Sequence, residues 1–308
     1  MSALAELSED IERVVRETSP SVVAVEHERG QGSGIVIASD GYVVTNSHVV
    51  RGAKPLSVTT ASGESLRAEL VGDDPASDLA VLRVFSHGLS ALSLYGGRRL
   101  RVGQLVLAIG NPLRFDRSVS LGVVSAIDRT LPAGRGRPLE GLVQTDAAIN
   151  PGSSGGPLLD AAGLAVGITT AVIPMARGLG FAIPAHRVNW IVPTLMRSGR
   201  IERPILGIAA RGFELTAKES VELGQGRAVR VLEVGTGEPA ERAGLRAGDL
   251  LLRANGDEVG SVDDVIRAMV LGRAEELALD VARGSSRLTL NVTPRVEPQR
   301  TREYRSAS

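Results

Sequence analysis

The sequence predicts a mainly β protein built on a double β-barrel. Three observations carry this expectation. From Ser21 onward the apolar residues fall in short runs separated by turn residues, and 36 glycines supply the turns. A histidine, an aspartate and a serine in motif-like surroundings occur in the order His48, Asp78, Ser154, which is the chain order of a triad carried on paired β-barrels. The residues before the serine, Asn150-Pro-Gly152, read as a turn and not as a buried parallel strand running into an α/β elbow.

Taken in order, residues 7–18 carry Leu7, Ile11, Val14 and Val15 at helical spacing, with Ser8 and Glu9-Asp10 suited to a helix start. Ser21–Glu26, Gly34–Ala38, Tyr42–Thr45, Leu66–Val71 and Leu79–Val84 read as strands of a first barrel. Gln104–Ile109, Val119–Ile127, Leu142–Thr145, Leu164–Thr170 and Gly180–Ile183 read as strands of a second. Leu131–Pro138, rich in Pro and Gly, is an exposed loop by composition. Ala185–Arg197 is a short closing helix that Pro193 should disturb. The expected layout is a helical segment over 1–20, a barrel domain over 21–200, a linker over 201–204, a second domain over 205–297, and a polar, disordered tail over 298–308.

Composition removes several classes of function. The 35 basic and 35 acidic residues cancel, so neither nucleic acid nor an anionic membrane is expected as the main partner. Lys54 and Lys218 are the only lysines, which disfavours Schiff-base chemistry. The absence of cysteine excludes disulfide scaffolds, thiol catalysis and thiolate metal sites. No histidine pair has zinc-ligand spacing and no phosphate-cradling loop occurs, so no metal and no cofactor is expected. No segment approaches the length of a membrane span.

Chemistry concentrates in Gln144–Pro157, where glycines surround Ser154 and leave the local backbone amides unobstructed. His48 lies in Tyr42-Val-Val-Thr-Asn-Ser-His-Val-Val50 and Asp78 in Ser77-Asp-Leu-Ala-Val-Leu82. Gly152-Ser-Ser-Gly-Gly156 also fits a nucleophile elbow, but that architecture needs its acid and then its base after the serine. Only His186 follows Ser154. His27, His87 and His186 are read as structural or solvated, and Asp146 as a carboxylate that organises its loop.

Five blocks then carry a resemblance: Thr45–Val50, Ser77–Leu82, Ala108–Pro112, Gln144–Pro157 and Gly180–Pro184. In that order they resemble the HtrA/Deg family of trypsin-like serine proteases, over residues 15–297. The resemblance implies two six-stranded barrels and an ATP-independent endopeptidase in which Ser154 attacks, His48 moves the proton and Asp78 orients the imidazole. Gly152, Ser153 and Ser154 would form the oxyanion hole. The family usually has Asn at the position of Ser153. In trypsin-like proteases the residue six before the nucleophile lines the first specificity pocket; here it is Ala148, next to Ile149. A lysine or arginine would be buried there unpaired, so cleavage after small or medium apolar residues is expected. Such residues are buried in folded proteins, which makes unfolded or damaged chains the expected substrate.

Ile205-Leu-Gly-Ile208 and the run Ala243-Gly-Leu to Asn255-Gly256 resemble an α+β PDZ domain, which adds an extended or C-terminal peptide to a sheet edge. Leu206, Gly207 and Ile208 would receive the terminal carboxylate, with Val262–Leu271 as the flanking helix, and the resemblance implies that the module regulates the protease. The resemblance also implies a homotrimer or higher oligomer held by the N-terminal region. The acidic N-terminus shows no signal peptide, so the chain as written is expected in the cytoplasm, or in the periplasm if a leader was removed. The competing expectation is a peptide-binding chaperone or scaffold whose oxyanion loop has collapsed.

Overall fold

The computed structural model describes residues 2–28, 30–96, 100–111, 118–131, 138–172, 178–272 and 276–296. The chain divides into two compact units, Met1–Ile201 and Glu202–Ser308. The expected tail at 298–308, the core of the Leu131–Pro138 loop and Pro112 lie outside the described residues.

The first helix, α1 (Ala3–Thr18), begins one turn and more before Ser8, because Ser2 caps it by accepting from the Ala5 amide. Ser8 instead lies inside the helix and donates to Glu12. The first barrel follows: β1 (Val22–His27), β2 (Gly30–Ala38), β3 (Tyr42–Thr45), the one-turn helix α2 (Ser47–Val50), β4 (Leu56–Thr59), β5 (Ser65–Asp74) and β6 (Leu79–Val84). It closes in the order β1-β2-β3-β6-β5-β4. The second barrel uses β7 (Leu105–Gly110), β8 (Ser118–Leu131), β9 (Leu139–Thr145), β10 (Pro157–Leu159), β11 (Ala165–Val172) and β12 (Gly180–Pro184). It closes as β10-β11-β12-β9-β8-β7. Closure leaves no strand edge exposed, and each barrel fills its interior with buried Val, Leu, Ile and Ala.

Two of these strands, β4 and β10, were not expected from the sequence. The closing helix α3 (Ala185–Ser198) packs against β5 and β6 of the first barrel and β11 and β12 of the second. It runs through Pro193, contrary to expectation, and ends at Gly199 in the left-handed conformation at φ 71°.

The second unit opens with β13 (Pro204–Ile205), so Pro204 is strand and not linker. Then come β14 (Ile208–Glu214), α4 (Ala217–Leu223), β15 (Arg227–Val234), α5 (Pro239–Arg242), β16 (Leu250–Ala254), β17 (Asp257–Glu258), α6 (Val262–Gly272), β18 (Leu277–Arg283), β19 (Ser286–Val292) and β20 (Arg295–Val296). The main sheet runs β14-β15-β16-β18-β19, with β17 paired to β16 and β13 paired to β20. Its core gathers Val229, Val231, Leu251, Val281 and Val292 with Val265 and Met269 of α6. Among the described strands of the main sheet β14 is an outer one, and α6 packs against β13, β14, β16 and β18.

Candidate active site

Strand β3 ends at Thr45, and the single turn of α2 then presents His48. Asp78 lies in the turn just before β6, at φ 57°, a left-handed conformation unusual for a residue with a side chain. Its carbonyl accepts from the Ser47 amide at 3.1 Å and from Asn46 Nδ2 at 3.0 Å. These bonds tie the turn to the head of α2. The Asp78 carboxylate accepts from the His48 amide at 2.9 Å and lies 2.8 and 3.0 Å from His48 Nδ1. The Asp78 side chain is 8% exposed and that of His48 47%, so the carboxylate is dry while the imidazole remains reachable.

Ser154 lies in the β9–β10 connection of the second barrel. Its Oγ donates to the Thr170 carbonyl at 3.0 Å. Thr170 Oγ1 in turn donates to Asp78 Oδ2 at 2.5 Å. Buried Thr170, on β11, thus links all three candidate residues across the two barrels, although nothing in its local sequence singled it out. Among the described residues no hydrogen bond joins Ser154 to His48.

The residues before Ser154 form a turn, as the sequence implied: the Ser153 amide donates to the Asn150 carbonyl at 2.9 Å, with Gly152 at φ 93°. This is the geometry that places Pro second and Gly third in a type II turn. The Ser153 carbonyl accepts from Thr169 Oγ1 at 2.6 Å and from the Gly156 amide at 3.0 Å. Because the C=O and N–H of a trans peptide point in opposite directions, the Ser154 amide faces away from these partners. No acceptor among the described residues takes the Gly152 or Ser154 amide. Gly155 is required by crowding, since a Cβ there would lie 2.0 Å from the Ser33 carbonyl, and its φ is 90°.

Ala148 is exposed, and its carbonyl accepts from Ser120 Oγ at 2.8 Å. Ile149 is buried and packs on Gly180, where an added Cβ would be 2.7 Å from Ile149 Cδ1. Asp146 accepts from the Val123 amide at 2.7 Å, holding the loop to β8. His87 and His186 are exposed, and His27 ends β1.

In the second unit the Leu206 carbonyl accepts from the Ala240 amide and the Gly207 carbonyl from the Gly235 amide, each at 2.9 Å. The same peptide geometry turns the Gly207 and Ile208 amides outward. Gly207 has φ 78°, and a Cβ on it would lie 2.2 Å from Glu238 Cβ. Glu238 is held by Arg295 at 2.9 and 3.2 Å, and that pairing pulls its carboxyl below the usual range. Asp249, at the foot of β16, is 1% exposed. Burial pushes its carboxyl up, but two 2.7 Å bonds from Arg283 and one from the Arg246 amide outweigh that and leave it lowered.

Residues 32–168 match the trypsin-like peptidase domain family and residues 230–283 the PDZ domain family. The chain is 38% identical over 286 residues to a putative serine protease HhoB of Synechocystis, covering 88% of this chain and 68% of that protein. The chain belongs to the HtrA/DegP family of serine proteases. A probable periplasmic DegP-like serine endoprotease of Ectopseudomonas mendocina is 38% identical over 280 residues, covering 90% of this chain and 58% of that protein. The chain therefore spans between half and two thirds of this second HtrA/DegP relative. Among solved structures, the HtrA-type protease AlgW with a tripeptide is similar at 33% identity and a TM-score of 0.72, over 93% of this chain and 97% of that one. The serine endoprotease from Yersinia pestis is similar at 30% identity and a TM-score of 0.65, over 93% and 98%. This HtrA/DegP-type protease contains no described helix long and apolar enough to cross a membrane.

Proposed function

We propose that this HtrA/DegP-type serine protease cleaves unfolded polypeptides with His48, Asp78 and Ser154. The observation that carries the reading is the chain of contacts in which Thr170 bonds both Ser154 and Asp78 while Asp78 bonds His48, beside two amides with no acceptor among the described residues. Ser154 Oγ leaves the Thr170 carbonyl, gives its proton to His48 Nε2 and attacks the scissile carbon. The resulting oxyanion accepts from the Gly152 and Ser154 amides, with Ser153 between them. His48 passes the proton to the leaving amine, and water then cleaves the acyl-enzyme by the same route. Asp78 holds the imidazole through Nδ1 and stabilises its charged form throughout.

Ile149 packed on Gly180, with Ala148 beside it and no carboxylate at either position, supports preference for small or medium apolar residues before the cleaved bond. The outward Gly207 and Ile208 amides, with Leu206 buried behind them, support capture of a peptide carboxylate next to β14. Regulation of the protease by such peptides, and assembly into a homotrimer through α1, belong to the same proposal. Leu4 on α1 is 79% exposed, which leaves apolar surface for a partner copy.

One observation favours the chaperone or scaffold alternative: the Ser154 hydroxyl is donated to Thr170 and not to His48. Casein degradation by the parent and by Ser154→Ala separates the two. Clearance by the parent alone, with fragment ends after Val, Ala or Leu, supports the protease. Equal inertness of both, with and without added hydrophobic C-terminal peptides, moves the reading to a chaperone. Light scattering that returns a monomer removes the trimer.

A further inference from the structure

Ser33, in the middle of β2, is fully buried and hydrogen-bonded through every polar atom. Its Oγ donates to the Gly152 carbonyl at 2.7 Å and accepts from the Asn111 amide at 2.9 Å. Its amide donates to the Ser154 carbonyl at 2.7 Å, and its carbonyl accepts from Thr45 Oγ1 at 2.7 Å. A first-barrel residue thus grips both ends of the segment Gly152–Ser154 in the second barrel. Of these bonds, only the two at Oγ depend on the side chain.

The hydroxyl supplies a donor and an acceptor at one atom, which is what a carbonyl and an amide meeting at one point require. Alanine would leave both of those backbone groups without this partner. The consequence reaches the oxyanion donors. A peptide plane turns about the bonds on either side of it, so freeing the Gly152 carbonyl frees the Gly152–Ser153 plane. Gly152 has no Cβ to resist that rotation. The aim of the Gly152 amide on one side, and of the Ser154 amide beyond Ser153, changes with it. Glycines on both sides of Ser33 match the crowding: a Cβ on Gly32 would lie 3.1 Å from the Ser154 carbonyl, and one on Gly34 2.7 Å from Val43.

We propose that Ser33 is a positioning residue for the acyl-transfer step: its hydroxyl locks the Gly152–Ser153 peptide so that the two oxyanion amides stay aimed. This rests on the triad reading above. The test uses the full chain with three variants, Ser33→Ala, Ser33→Cys and Thr18→Val. Thr18→Val removes a different buried hydroxyl bond, Thr18 Oγ1 to the Val14 carbonyl, away from the site. The readouts are kcat and KM on an apolar peptide substrate, affinity for a peptide boronate that mimics the tetrahedral state, and melting temperature.

For Ser33→Ala the expected result is a kcat lowered about tenfold or more, since loss of one whole oxyanion donor costs about 10²–10³. KM should stay within about twofold, and boronate affinity should fall by the same factor as kcat. Ser33→Cys, which keeps a weak donor and acceptor, should recover part of the loss. Thr18→Val should lower melting alone. An active Ser33→Ala with parental kcat and boronate affinity overturns the proposal, as does an equal loss of kcat in Thr18→Val. A parent that a fluorophosphonate does not label, and that matches Ser154→Ala in every assay, overturns the triad reading and this proposal with it.

Discussion

Asp78 occupies a left-handed backbone conformation because its neighbours require it there: its carbonyl is bonded to Ser47 and Asn46 while its carboxylate meets His48 and Thr170. Thr170→Val removes the hydroxyl that fixes Asp78 yet keeps the carbonyl that holds Ser154. Its expected effect is a fall in kcat of about tenfold or more with KM little changed, read from steady-state kinetics on an apolar peptide. Ile149→Ala should open space over Gly180 and shift cleavage from valine toward leucine and phenylalanine by about tenfold, read from fragment ends. Asp73, on β5 near Asp78, has an Oδ1 without a partner, and burial raises its carboxyl above the ordinary range, against a bond to Ser47 and the charge of Arg51. The ionisation penalty is therefore absent below the unfolded value and fully present above the raised folded one. Asp73→Asn should raise the melting temperature at pH 7, and the gain should disappear as the pH falls to about 4. The triad candidates were legible because each lies in a distinctive local run. Thr170 and Ser33 were not, because their partners lie 92 and 119 residues away. The glycines around Ser33 were the one local sign of crowding there.

Ten of the twelve barrel strands could be read from apolar runs, and the two missed share a physical cause. Strand β4 is four residues long with two apolar positions, and β10 is three residues long and begins with Pro157. Strand β4 does alternate, but over four residues only, and β10 is too short to alternate. Each is hairpin-paired to the strand that follows it, β5 or β11, and its place in the barrel is fixed by a partner far back in the chain, β1 for β4 and β7 for β10. Helix α3 persists through Pro193 because its buried face, with Val188, Ile191 and Leu195, packs on strands of both barrels. Tertiary burial outweighs one missing backbone bond there. At the turn before β14, Gly207→Ala forces a Cβ into Glu238 at a positive φ. The expected outcome is loss of C-terminal peptide binding in isothermal titration, with fluorophosphonate labelling of Ser154 retained.

Each unit encloses its own buried cluster, which gives the chain two separate sources of stability. Asp249 is the charged centre of the second. Arg283→Ala removes its bidentate partner and leaves a buried carboxylate, at a cost of about 3 kcal/mol or more. Calorimetry should show the second unit melting earlier, while Ser154 is still labelled below that transition. Because pairing holds the Asp249 carboxyl low, this stabilisation is present at neutral pH and is lost as the pH falls through the lowered folded value. The pairing of β13 with β20 sets Pro204 opposite Val296 and Ile205 opposite Arg295. The first and last described strands of the second unit therefore lie side by side, their backbones separated by about one strand spacing, 5 Å. A segment of that form behaves as a cassette. Residues 204–296 are expected to fold when spliced into a surface loop of an unrelated host, or when those two positions are joined and the chain reopened elsewhere, with only a few residues of spacer.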